Sequence, residues 1–216
     1  LQELDDRIEF EETSYICVSA SGRTVRIEDI IRDKEKILIY KGSFNPPHNV
    51  HLKFAQLAEK LYGIRPIFSI SMDTFGKGHV NGADVLSRVK IINSLGYDVI
   101  IVKDAFFSTM YRHVSEKVSA PIVFLLGSDT FNRLITSSHT KVEHFAESFP
   151  NVKFMVLIRP ENPLLPESAD FISYMQIIDD EGSESSTHIR KLIEEDNMEE
   201  VRKLVPENVY KIIKEK

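Results

Sequence analysis

The stretch KILIYKGSFNPPHNVH, residues 36–51, decides the fold. Its first five residues, KILIY, are apolar apart from the leading lysine and predict a buried strand. Gly42 then lets the backbone come close to a ligand, and Pro46 and Pro47 favour an extended loop that stays separate from the next helix. Helical periodicity follows over residues 49–62. A strand that runs through such a loop into a helix is the arrangement that places ligands at the strand ends of an open α/β sheet.

The rest of the chain repeats this alternation of strand and helix. Apolar strands are predicted at 66–71, 97–102, 121–126 and 152–158, with a weaker one at 173–178. Helical patterns lie between them at 83–95, 107–118, 129–135 and 141–148. The predicted fold is therefore α/β, with a Rossmann-like, doubly wound parallel sheet that carries helices on both faces.

The first 34 residues follow a different pattern. Three β-rich runs, RIEFEE, SYICVSA and RTVRIE, occupy residues 7–28, with a Ser21-Gly22 turn between the last two. We predict an N-terminal β-hairpin extension at 1–34 and a main domain at 35–216. Because the sequence opens with Leu1, the extension is also interpreted as the end of an upstream domain.

Composition excludes several classes of protein. The chain has 216 residues, a formal charge of -6 and a pI near 5.7, which argues against a broad electrostatic grip on nucleic acid or on an anionic membrane. No apolar run approaches the length of about 18 residues that a membrane helix needs. The single cysteine, Cys17, supports neither a disulfide nor a thiolate zinc site. We expect a cytoplasmic protein without a metal site of its own, and composition gives no oligomeric state.

His48 and His51 are the first candidates for chemistry. They are three residues apart where a helix is predicted to begin, so their rings can converge beside the free amides of its first turn. Two imidazoles and a helix N-terminus suit the charge that develops on a phosphate during displacement. The alternative is that both histidines only cap and pack the helix.

A second candidate lies near the other end of the chain. Ser185, Ser186 and Thr187 open a predicted helix, and Arg190 follows one turn later. Hydroxyls, free amides and a guanidinium are all phosphate ligands. The alternative is a serine cap and a solvated surface arginine.

Both stretches resemble motifs of one enzyme superfamily. Residues 42–51 resemble the histidine motif of the nucleotidylyltransferases, His-x-Gly-His, with Val50 in the place of the glycine. Residues 185–190, SSTHIR, resemble the Ile-Ser-Ser-Thr-x-Ile-Arg motif of the nicotinamide and nicotinate mononucleotide adenylyltransferases, with Glu184 in the place of the isoleucine. The resemblance spans about residues 36–214.

The resemblance implies an enzyme of NAD biosynthesis that transfers AMP from ATP to nicotinamide or nicotinate mononucleotide and releases pyrophosphate. Its partners would be small nucleotides, and Mg²⁺ would arrive on the triphosphate. His48, His51 and Arg190 would be the catalytic residues. The ATP phosphates would be bound by Gly42, Ser43, Phe44, Ser185, Ser186 and Thr187.

Further positions are implied for the nucleotides. Gly127 and Asp129 resemble a Gly-x-Asp motif along the nucleotide pocket, although Asp129 could instead cap a helix. Arg159, after the strand at 152–158, and Lys77, in a glycine-flanked loop, would meet substrate phosphate, although Arg159 could also be a plain surface residue. Arg88 resembles an arginine found in the same helix of relatives, but it is interpreted as a solvated helix residue. The family's stacking tryptophan is absent, so the aromatic face would come from Phe131, His144 or Phe145.

Two alternatives remain open. Pantetheine-phosphate adenylyltransferases and cytidylyltransferases share the histidine motif, so the acceptor or the nucleotide could differ. A nucleotide-binding regulatory domain without turnover is the other alternative, because a branched Val50 side chain would crowd the approach of the nucleotide.

Overall fold

The strand that opens the deciding stretch lies at the centre of the sheet. In the computed structural model, which describes residues 15–74, 78–79, 82–103, 106–136, 149–167, 175–179 and 184–215, β3 (Ile37–Lys41) is parallel to both neighbours. These neighbours are β4 (Ile67–Ser71) and β8 (Ile122–Gly127). All five side chains of β3 are buried, as the apolar run predicted.

Eight strands of the described residues form one sheet. The parallel part continues through β7 (Val99–Val102) beside β4, and through β9 (Val152–Ile158) and β10 (Met175–Asp179) beyond β8. The full order is β10-β9-β8-β3-β4-β7-β1-β2, where the last two strands come from the N-terminal region. The doubly wound parallel sheet is confirmed.

The N-terminal hairpin forms the antiparallel edge of this sheet. Its strands are β1 (Tyr15–Val18), which pairs with β7, and β2 (Thr24–Val25). The strand predicted over RTVRIE is wrong beyond Val25, because residues 27–31 form helix α1 (Ile27–Ile31). Ile27, Ile30 and Ile31 recur at helical spacing and are all buried, which favours one turn of helix over a strand. The run RIEFEE lies outside the described residues, and the domain division at residue 34 stays a prediction.

Helices cover both faces of the sheet. One face carries α2 (Asn49–Tyr62) and α3 (Gly82–Ser94), and the other carries α1, α4 (Phe107–Ser115) and α5 (Ser128–Thr136). The side chains of β3 divide between the two cores, with Leu38 and Tyr40 toward α2 and Ile37 and Ile39 toward α4. The short strands β5 (Asp73–Thr74) and β6 (Gly78–His79) pair separately. The helix predicted at 141–148 lies outside the described residues.

Chain order reverses between β3 and β8. After β3 the chain adds β4 and β7 on one side, and α4 then leads across the sheet to β8 on the other side. The loops that leave the carboxyl ends of β3 and β8 therefore diverge and open a crevice, where ligands of such sheets bind.

Three helices close the chain: α6 (Ser186–Glu194), α7 (Met198–Leu204) and α8 (Glu207–Lys214). Their buried side chains pack with Ile91 of α3, so α6 lies on the same face as α2 and α3. Within the described ranges, no helix combines the length and the apolar character needed to cross a membrane.

Candidate active site

The loop after β3 has a strained backbone that is fixed by one aromatic ring. Phe44 has φ +47°, in the left-handed region that residues with a side chain rarely adopt. Its ring is 1% exposed and packs 4.9 Å from Tyr40, 5.2 Å from His51 and 4.7 Å from Phe68, measured between ring centroids. A Cβ on Gly42 would lie 2.8 Å from this ring, so the glycine is required for the ring to fold back onto the strand.

His48 and His51 stand side by side where α2 begins. His48 is the N-cap residue, His51 lies in the first turn, and their ring centroids are 3.7 Å apart. The backbone N–H of His48 donates to Nδ1 of His51 at 3.2 Å. In a neutral His51 ring the proton is then on Nε2, which is a donor. His51 thus does cap the helix, as the simpler interpretation held, and still offers one N–H.

Both imidazoles are buried and neutral. Burial first, and then the nearby charge of Arg159, lower the pKa of His48 to about 3. Burial, His48 and Arg159, in that order, lower the pKa of His51 well below its usual value. The two rings are therefore neutral hydrogen-bonding groups in the free protein, and Arg159 supplies positive charge beside them.

Two of the side chains at this site carry buried nitrogens without a hydrogen-bond partner among the described residues. Both ring nitrogens of His48 are of this kind. The Nε of Arg159 is in the same state. Buried polar groups almost always have partners, so groups without one are candidate positions for a ligand or for an ordered water.

The second motif docks onto the first. Ser186 donates through Oγ to the carbonyl of Pro46 at 2.9 Å, and Arg190 donates through Nη1 to the carbonyl of Asn45 at 2.7 Å. A second nitrogen of Arg190, Nη2, lies 3.1 Å from Thr187 Oγ1. The interpretation of Arg190 as a solvated surface charge is wrong, because loop 42–48 covers part of it. The arginine has five N–H donors, so these two bonds leave others for a phosphate.

Ser185 caps the start of α6, as its position in the sequence predicted. It is the N-cap of α6, and its hydroxyl accepts from the N–H of His188 at 3.2 Å. A hydroxyl that accepts one bond can still donate its own proton. The helix start therefore combines a cap with free donors at the side facing loop 42–48.

The carboxyl ends of β8 and β9 complete the site. Gly127 ends β8, and a Cβ there would lie 2.7 Å from Oδ1 of Asp129 and 3.7 Å from Nε of Arg159. A side chain at this position would therefore clash with the Asp129 carboxylate and contact Arg159. Helix α5 begins at Ser128, so Asp129 lies inside its first turn and pairs with Arg133 at 3.4 Å. The alternative in which Asp129 caps the helix is wrong.

Val50 does not crowd the pocket. Its side chain is 3% exposed and belongs to the core beneath α2, one turn before the buried Phe54. The expectation that it stands in the path of the nucleotide is wrong, because helical spacing turns residues 50, 54 and 58 toward the sheet. Phe131 is likewise fully buried, in the other core, and so offers no aromatic face.

The sequence interpretation of Arg88 also needs correction. Arg88 is 5% exposed, its Nη1 donates to the carbonyl of Ser43 at 3.2 Å, and its Nη2 forms an ion pair with Asp84. Helical spacing could have revealed this position, since Val85, Val89 and Ile92 around it form the buried stripe of α3. The arginine therefore contacts the site and not the solvent.

Three predicted positions lie outside the described residues: Lys77, His144 and Phe145. Among the residues that are described, no three histidine, cysteine, aspartate or glutamate side chains form a group that could hold a metal ion. Apart from Phe131, which lies in the core, the other predicted site residues lie at the carboxyl edge of β3, β8 and β9 and at the start of α6.

Comparison with known proteins agrees with this geometry. Residues 39–192 match the model of the cytidylyltransferase-like family. A "probable nicotinate-nucleotide adenylyltransferase" of Listeria monocytogenes is 27% identical over 194 residues, which cover 84% of this chain and 96% of that protein. A tRNA(Met) cytidine acetate ligase of Fusobacterium nucleatum is 26% identical, covering 80% of this chain and 55% of that protein.

Solved structures show the same fold. The nicotinic acid mononucleotide adenylyltransferase of Plasmodium falciparum, solved in complex with NaAD, superposes with a TM-score of 0.61 at 16% identity. The match covers 84% of this chain and 96% of that one. Since the family model covers most of the chain, including both motifs up to Leu192, the protein belongs to the cytidylyltransferase-like family of nucleotidyltransferases.

Proposed function

We propose that this protein is an adenylyltransferase that transfers AMP from ATP to a pyridine mononucleotide. The observation that carries the proposal is the group of buried, unpartnered nitrogens of His48 and Arg159 beside the docked α6 motif. An anionic oxygen accepts from such donors, and Arg159 adds the positive charge that a phosphate requires. The named relative from Listeria supports nicotinate mononucleotide as the first acceptor to test.

In the proposed reaction, a phosphate oxygen of the acceptor attacks the α-phosphorus of ATP in line. A P–O bond forms to the acceptor as the P–O bond to the β-phosphate breaks, and pyrophosphate leaves with its electron pair. His48, the Nε2–H of His51 and Arg159 stabilise the crowded α-phosphate. The hydroxyls of Ser185 and Thr187, with the remaining donors of Arg190, bind the leaving pyrophosphate, while the Ser186 hydroxyl holds the loop through the Pro46 carbonyl. Gly127 and Asp129 line the nucleotide beside Arg159.

Magnesium is proposed as part of the substrate. No group of three described metal-ligating side chains could hold an ion here, and Asp129 is engaged with Arg133. A cation bridging the phosphates would neutralise their charge on arrival. Every other contribution in the proposal comes from side chains and amides of the protein.

The test is pyrophosphate release with ATP, Mg²⁺ and each of three acceptors: nicotinate mononucleotide, nicotinamide mononucleotide and phosphopantetheine. We expect dinucleotide from a pyridine acceptor. Product from phosphopantetheine alone, or with CTP in place of ATP, would assign the protein to another branch of the family.

A matched pair of variants tests the assignment of residues. His51→Asn keeps an acceptor for the His48 N–H but removes the Nε2–H donor, and loss of one such donor lowers kcat by about 10²–10³-fold. His188→Gln, on the exposed side of α6, is the control and should leave kcat unchanged. Equal rates for His51→Asn and the wild type would contradict the role of His51.

A second candidate is a nucleotide-binding module without turnover. The burial of His48 and His51, at 0% and 9% exposure, favours it, because a ligand reaches these rings only if the covering residues shift. Calorimetry that shows ATP binding, together with no pyrophosphate release from any acceptor, would select this candidate.

A further inference from the structure

Arg88 is a buried cation that the proposed reaction leaves without a role. It lies in α3 among Val85, Val89 and Ile92, and its guanidinium is held between the carboxylate of Asp84 and the carbonyl of Ser43. A buried arginine is costly unless it is paired, so a position this enclosed requires the two partners of Nη1 and Nη2, and the buried Nε has no partner among the described residues. One of the two belongs to the loop that carries the first motif.

The bond to Ser43 fixes the direction of a peptide group. The carbonyl of Ser43 and the N–H of Phe44 belong to one planar trans peptide, in which the two bonds point in opposite directions. Because Arg88 holds the carbonyl toward α3, the Phe44 N–H is turned away from α3. In the described part of the chain, no backbone carbonyl accepts a hydrogen bond from this N–H.

The backbone at this peptide needs to be held. Phe44 has φ +47°, which costs of order 1–3 kcal/mol for a residue with a side chain. Ring packing against Tyr40 and Phe68 fixes the side chain, but it makes no hydrogen bond to the peptide plane between Ser43 and Phe44. The guanidinium is the contact that acts on that plane.

We propose that Arg88, held by Asp84, is a positioning residue that aims the Phe44 N–H at the α-phosphate oxygen of bound ATP. This inference rests on the proposed function for its reaction, but the orientation of the peptide is a property of the protein alone. A preorganised backbone N–H directed at developing negative charge stabilises the transition state more than the ground state.

The kinetic test compares Arg88→Met, Arg88→Lys and Arg65→Met. Arg65 is the matched control, because it too binds a carboxylate, Glu59, and a backbone carbonyl, Gly96, at a distance from the site. We expect Arg88→Met to lower kcat roughly 10- to 100-fold, with the KM for ATP nearly unchanged, since one donor of this kind is misdirected. Arg88→Lys should recover part of the loss, because an ammonium can still bind the Ser43 carbonyl. Arg65→Met should behave as the wild type.

A purely structural role predicts a different outcome. Circular dichroism gives the folded fraction of each variant, and kcat is calculated per folded molecule. A kcat for folded Arg88→Met equal to that of the wild type would overturn the proposal. So would a loss that Arg88→Lys does not reduce at all.

A measurement without turnover separates this inference from the proposed function. In protein labelled with ¹⁵N-phenylalanine, the Phe44 amide signal is identified by its absence in Phe44→Leu. A non-hydrolysable ATP analogue should shift this signal in the wild type and leave it in place in Arg88→Met. If the wild type binds the analogue and the signal does not move, the inference is overturned, whatever the enzyme assay shows. If the Phe44 amide signal shifts but the protein releases no pyrophosphate from any acceptor, only the proposed reaction is overturned.

Discussion

The burial of His48 predicts a loss of stability in mild acid. Its pKa is about 3 in the folded protein and 6.5 when the ring is exposed. Between these values the unfolded chain binds a proton that the folded protein does not, so stability is complete above pH 6.5 and falls as the pH decreases toward 3. One pH unit corresponds to about 1.4 kcal/mol per group, so acidification from pH 7 to pH 5 removes about 2 kcal/mol through His48 alone. His51 acts in the same direction, because its pKa is also lowered.

Urea unfolding at pH 7 and pH 5 measures this quantity. The wild type should lose more free energy of unfolding over this interval than His48→Gln does, by about 2 kcal/mol, since glutamine does not titrate. Comparing the change in the free energy of unfolding between pH 7 and pH 5 in the two proteins removes the contribution of carboxylates and any constant effect of the substitution. His188→Gln, which replaces an exposed ring, should keep the wild-type slope.

An equal acid loss in the wild type and in His48→Gln would refute the reasoning, because it would mean that the buried ring accepts its proton as readily as an exposed one. The proposed site adds a second expectation. A phosphate beside the ring favours the charged form of the imidazole, so saturating ATP should reduce the acid loss in the wild type.

Three further substitutions have defined outcomes. Val50→Gly removes a buried side chain from the core and adds a flexible residue to α2, so it should lower the free energy of unfolding in urea by about 2–4 kcal/mol. It should not accelerate adenylyl transfer. A stable variant with a faster reaction would show that Val50 obstructs the nucleotide. Gly127→Ala places a Cβ against Oδ1 of Asp129, so it should raise the KM for ATP while CD spectra stay unchanged. An unchanged KM would mean that Asp129 does not contact the nucleotide. Ser186→Ala deletes the bond to the Pro46 carbonyl and should lower the free energy of unfolding in urea by about 1 kcal/mol. Ser115→Ala should cost less, because the exposed hydroxyl of Ser115 bonds only within α4.

The elements around β3 were predictable because their causes are local. The apolar run KILIY predicted the strand, the two prolines predicted the loop, and the helical period predicted α2. The structure has α2 at Asn49–Tyr62. The strand predicted over RTVRIE failed beyond Val25, because Ile27, Ile30 and Ile31 recur at helical spacing and all three pack into the core from α1.

The candidate site residues were named from the order and type of residues in two motifs, and their roles remain a prediction. The protonation state of the histidines could not be inferred in this way. The low pKa of His48 arises from burial and from Arg159, which is more than a hundred residues away in the chain. The contact between Ser186 and Pro46 joins residues separated by 140 positions.

Local signals in the sequence set the alternation of strands and helices and placed at element ends the two motifs that are proposed to bind phosphate. The tertiary structure alone decided that Val50 faces the core, that Arg88 grips the loop at Ser43 and that the paired imidazoles are neutral. The physical reason is the distance along the chain over which each interaction acts. Backbone propensities and caps act over a few neighbouring residues, whereas burial, the electrostatic effect of Arg159 and the docking of α6 depend on groups that meet only when the sheet has formed.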